Sequence, residues 1–158
     1  MKEPTLFKDR PRPFQIVVGG VVPFALGCIV GVILGVSSTV YWGLAALAAV
    51  GGFLAGFEHQ DGWGGADRGL VGGALFGLGV LIAHAIAGTH AKVSLGSFPP
   101  FLVVIDAIFG MFIGAAGGRV ARAIFDREAP SPEAIEEEAV AGETIVAEPI
   151  VVETARTE

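Results

Sequence analysis

Four long apolar stretches, joined by short connections that are polar or rich in proline and glycine, dominate the pattern of the chain. They cover residues 14–36, 40–57, 69–88 and 101–122. A helix needs about 20 residues to cross a bilayer. Because a lipid-exposed backbone must satisfy its own hydrogen bonds, each stretch is expected to be a helix. The pattern therefore predicts an all-α membrane protein built as a bundle of four transmembrane helices, with a candidate kink at Pro23 in the first.

The composition excludes an ordinary soluble enzyme. Of the 158 residues, 53% are hydrophobic and 16% are charged, whereas a typical soluble domain has about 25% charged residues. The mean hydropathy is +0.68. A water-soluble chain of this size could not bury so much apolar surface in a single core.

The charges divide the chain into three parts. Residues 1–13 are a basic cytoplasmic segment, residues 14–125 hold the four helices, and residues 126–158 carry ten acids and two arginines. Such an acidic tail is expected to be largely disordered, and it argues against nucleic acid as a partner. The tail is open to a second interpretation, because Ile145 and Ile150 begin short apolar runs that could anchor a docking segment.

The distribution of lysine and arginine predicts the orientation. If the N-terminus is cytoplasmic, only Lys92 lies in an outer loop. The inner regions then hold Lys2, Lys8, Arg10, Arg12, Arg68, Arg119, Arg122, Arg127 and Arg156. Both termini are therefore expected inside. Tyr41 and Trp42 lie at the outer end of the second helix, where amphipathic rings favour the interface.

Glycines recur every four residues in three of the predicted helices. The triplets are Gly27, Gly31 and Gly35 in the first, Gly69, Gly73 and Gly77 in the third, and Gly110, Gly114 and Gly118 in the fourth; the second has Ala48, Gly52 and Gly56. This spacing puts each set on one face of a helix, where the backbones of neighbouring helices can approach. Chance could produce one such triplet at this glycine content, but hardly three. The sequence therefore predicts glycine-zipper packing.

The connection 58–68 is expected to be a flexible inner loop because it contains three glycines. Its Glu58, His59, Asp61 and Asp67 are types of residue that bind metals, but their spacing matches no strong ligand pattern. The plainer interpretation is a solvated loop in which Trp63 rests at the headgroups. We find no phosphate-binding loop and no catalytic constellation, so we expect no catalytic residue, no metal, no cofactor and no enzymatic activity.

His84 lies inside the third apolar stretch and Asp106 inside the fourth, which also has Arg119 and Arg122 at its end. An ionisable group at such depth is costly and seldom left alone. With Gly77 set level with Gly110, the two side chains are less than one helical turn apart, which predicts an intramembrane polar pair. The alternative is that Asp106 faces water near the outer loop while His84 binds a carbonyl group.

Residues 14–125 resemble small bacterial membrane proteins of the glycine-zipper kind in size, helix number and glycine density. We expect a multi-pass protein of the cell membrane whose partners are the lipid bilayer and a second copy of itself or another membrane protein. Its expected role is structural, in assembly. The alternative, from a different class, is a small transporter or channel, proton-linked, that uses His84 and Asp106.

Overall fold

A computed structural model describes residues 10–59 and 61–128, with side chains as far as residue 125. Within these ranges the chain forms four long helices and no strand. The helices are α1 (Arg12–Leu34), α2 (Ser38–Phe57), α3 (Gly62–Ala87) and α4 (Phe101–Glu128). All four are long and apolar enough to cross a membrane, so the predicted all-helical class and helix number are confirmed. Most of the basic N-terminal segment and of the acidic tail lies outside the described residues.

The expected flexible loop 58–68 is wrong in its extent, because α3 begins at Gly62. Asp61 is the N-cap, and its Oδ1 accepts a hydrogen bond from the Gly64 backbone N–H at 2.5 Å. A capping carboxylate satisfies a donor that the first turn leaves unpaired, and this outweighs the helix-breaking tendency of the glycines. The connection between α2 and α3 is therefore short, and Arg68 lies within α3.

The proline in α1 is accompanied by a change of helix type. A π-helical segment, Val17–Val21, interrupts the helix just before Pro23. Proline donates no backbone hydrogen bond to the preceding turn, so the wider hydrogen-bond pattern of a π-helix is tolerated here. The structure thus widens the helix locally in the turns that precede Pro23.

Helix α3 packs against α1 at positions where glycine removes the side chain. A Cβ added to Gly27 would meet the backbone of Phe76, and one added to Gly31 would lie 2.9 Å from the Val80 Cα. Residue numbers rise together along both helices, so α1 and α3 are parallel. The contact depends on glycine because any larger residue would hold the two backbones apart.

Helix α4 packs antiparallel to another face of α3. Gly65 lies opposite Gly114 and Gly69 lies opposite Gly110, with backbone meeting backbone at both levels. The expected register, Gly77 level with Gly110, is wrong by eight residues, or about 12 Å along the helix. The observed register has the closer fit because it places glycine against glycine twice.

Helix α2 is held mainly near its two ends. At one end Gly56 packs against Gly114. At the other, the Tyr41 side chain joins a cluster with Val30, Leu34 and Val80. We call the end of the bundle that holds Arg12 and Gly56 the arginine end, and the end that holds Tyr41 the loop end.

The connection 88–100 folds over the loop end. Gly88 ends α3 with a positive φ of 62°, a conformation that glycine adopts without steric cost. The Lys92 N–H then donates a hydrogen bond to the Leu34 carbonyl at 2.9 Å, and Val93 and Leu95 pack against the cluster around Tyr41. The chain itself therefore covers this end of the bundle.

Candidate functional site: a cavity between the four helices

A cavity of about 460 Å³ lies between the helices, and residues of all four line it. It follows α2 from Tyr41 to Ala55, which is about 21 Å of helix. Most of its lining is aliphatic or glycine. Leu47 and Phe109 line the cavity and are also 60% and 59% exposed, so the space is accessible from the lipid-facing side of the bundle.

Asp106 is the acid that lines this cavity. Its Oδ2 lies beside Gly77, 2.8 Å from where a Cβ of that residue would stand, so glycine makes room for the carboxylate. Among the described residues no hydrogen bond or ion pair to the Asp106 carboxylate is formed. A carboxylate in an apolar setting without such a partner is costly and often marks a functional position.

Four aromatic side chains share the cavity wall with Asp106, namely Tyr41, Trp42, Phe76 and Phe109. The Tyr41 and Trp42 rings meet edge to face, with their centroids 5.2 Å apart. Tyr41 is 7% exposed and shares this wall with Asp106. Aromatic faces attract cations, so the rings and the carboxylate both favour a positively charged ligand.

Arg68 lines the cavity nearer the arginine end. In the observed register it is about five residues, or 7–8 Å, from the level of Asp106. Its charged neighbour is Glu58, which follows α2. The cavity wall thus carries one acid, Asp106, and one base, Arg68, at different levels of the bundle.

The structure does not bring His84 and Asp106 together. The Asp106 backbone lies opposite Gly73 and its carboxylate lies beside Gly77, whereas His84 is seven residues beyond Gly77, or about 10 Å along α3. In the part of the chain that the structure describes, the buried Nδ1 of His84 has no hydrogen-bond partner. The eight-residue difference in register separates the two side chains.

The described polar residues around the α2–α3 connection make local contacts. Asp61 caps α3, and the Nδ1 of His59 lies 3.2 Å from the Ala55 carbonyl oxygen. Within residues 10–59 and 61–128, no three histidine, cysteine, aspartate or glutamate side chains converge. Trp63 is 83% exposed.

Sequence reasoning found Asp106 but missed the cavity around it. The available signal was the series of small residues in α2, namely Ala45, Ala48, Ala49, Gly52 and Ala55, all of which line the cavity. In the sequence they indicate close helix contact. In the structure the middle of α2 instead leaves a space, because its packing contacts lie near its ends.

Comparisons with known proteins identify no relative of this chain. No family model, no curated protein and no solved structure matches this chain.

Proposed function

We propose that the chain is a multi-pass protein of the cell membrane with both termini in the cytoplasm, packed as a glycine zipper. The zipper is supported by backbone contacts at Gly27, Gly31, Gly69 and Gly114. The orientation is supported by the charges at the arginine end, since cytoplasmic regions carry an excess of lysine and arginine. Lys92, in the connection 88–100, lies at the opposite end of the bundle.

We further propose that the protein binds an apolar organic cation in the cavity, with Asp106 as the anionic contact. The observation that carries this proposal is a carboxylate without a hydrogen-bond or ion-pair partner, among the described residues, inside an aromatic-lined space. Small-molecule sites commonly combine apolar walls with few polar groups. No catalytic step is part of this function.

This function is favoured over self-association because the glycines of the three four-residue repeats, in α1, α3 and α4, are packed within the chain. Gly31 of α1 packs against α3, and Gly69 of α3 packs against α4. Gly56 of α2 packs against Gly114 of α4. A face that is already packed is not available to a second copy. A transporter is compatible with this proposal, because cation binding is the first step of transport. Uptake of the cation by proteoliposomes would distinguish a transporter from a receptor.

Asp106→Asn is expected to weaken binding of tetraphenylphosphonium to the purified full chain by about tenfold or more, because truncating one member of a charge pair in a dry site commonly costs at least 2 kcal/mol. Asparagine has nearly the same size, so the fold is retained. Equilibrium binding of the radiolabelled cation measures the effect.

The matched control is Asp67→Asn, which removes an equal charge from α3 at a position that does not line the cavity. It should bind the cation as the wild type does. Equal affinities for wild type and Asp106→Asn would contradict the proposed role of Asp106.

A further inference from the structure

A second concave surface lies at the arginine end, between α1 and α3. It has a volume of about 600 Å³, and its charged residues are Arg12, Asp67 and Arg68. Gly19 and Gly20 form part of its wall, next to the apolar side chains of Ile16 and Val71. We call this surface the arginine groove. It differs from the cavity, although Arg68 lines both.

The two arginines stand at different depths in the arginine groove. Since α1 and α3 are parallel, with Gly27 beside Phe76, Arg68 is level with Gly19. Arg12 begins α1 and is seven residues, or about 10 Å, nearer the helix end. Long arginine side chains reach towards the interface while their stems remain in the apolar layer. The groove therefore has a cationic mouth and an apolar continuation.

We propose that the arginine groove binds one anionic phospholipid. Its phosphodiester would lie between Arg12 and Arg68, and an acyl chain would follow the wall formed by Gly19, Gly20 and Val71. Basic pockets between helices at the cytoplasmic surface suit acidic headgroups. Arg12 and Arg68 line the groove together with Asp67, and Glu58 is also near Arg68. The two guanidinium groups favour a headgroup without a choline cation.

The test titrates the purified full chain with phosphatidylglycerol and follows the lipid-dependent rise in melting temperature, with phosphatidylcholine in parallel. The wild type should bind phosphatidylglycerol more tightly. Arg12→Gln should weaken that binding about fivefold, since one basic residue near an anionic surface contributes on the order of 1 kcal/mol. Asp67→Asn should strengthen it by removing the opposing charge.

Arg122→Gln is the matched control, because Arg122 is exposed at the same end of the bundle and lies outside the groove. It should leave lipid binding unchanged. Equal losses in Arg12→Gln and Arg122→Gln, or no gain in Asp67→Asn, would overturn the proposal. A rise in melting temperature of the same size with inorganic phosphate alone would also overturn it, because the site would then bind a free anion. Neither Arg12 nor Asp67 lines the cavity, so failure here leaves the proposed cation binding untouched.

Discussion

Gly114→Leu is expected to lower the free energy of unfolding by about 3 kcal/mol, near the upper end for overpacking a well-packed site. Gly114 lies where three helices meet. A Cβ on it would stand 3.0 Å from the Gly65 carbonyl carbon and 3.2 Å from the Gly69 Cα, and Gly56 packs against it from α2. None of these obstacles is a flexible side chain, so whole helices must separate. Unfolding of the purified chain by denaturing detergent, followed by circular dichroism, measures the loss.

Gly43→Leu provides the matched control, because a Cβ on Gly43 would meet nothing within 4 Å. The same substitution should therefore change stability little. Equal losses at Gly43 and Gly114 would contradict packing through glycine contacts.

Ala48→Phe is expected to reduce the affinity for tetraphenylphosphonium by about tenfold or more while the fold persists. Ala48 lines the cavity, so the added ring enters open space instead of displacing backbone. A ligand that needs this volume would have to expel the ring or bind elsewhere. Equilibrium binding and the melting temperature, measured on the same sample, separate loss of the site from loss of the fold.

Ala46→Phe is the comparison for this variant, since Ala46 is exposed on α2 and does not line the cavity. It should bind the cation normally. If Ala48→Phe also bound normally, the cation would not occupy the cavity.

Much of the fold could be predicted because apolar length and glycine spacing act locally. The segment 40–57 became α2 at Ser38–Phe57 with almost the expected bounds. The start of α3 was misplaced because glycines suggested a loop, whereas a single capping carboxylate at Asp61 was enough to begin the helix. A cap involves one hydrogen bond, which an average over composition does not reveal.

The candidate site could be predicted only in part. The depth of Asp106 in the fourth apolar stretch was visible in the sequence, but its neighbours depend on helix register. The glycine repeat permits several registers four residues apart, and each pairs small residues with small residues. Backbone fit selects the one with Gly69 opposite Gly110. That choice places Asp106 with Tyr41 and Phe109 in the cavity and leaves His84 elsewhere.

Photoaffinity labelling tests the proposed cation site most directly. The full chain in detergent is irradiated with a phosphonium cation that carries a diazirine, and the labelled residues are mapped by peptide mass spectrometry. We predict labels on Tyr41, Phe76 and Phe109, which line the cavity, and their loss when excess tetraphenylphosphonium competes. Labels confined to exposed side chains away from the cavity, such as Ile86 and Phe112, and unaffected by competition, would contradict it.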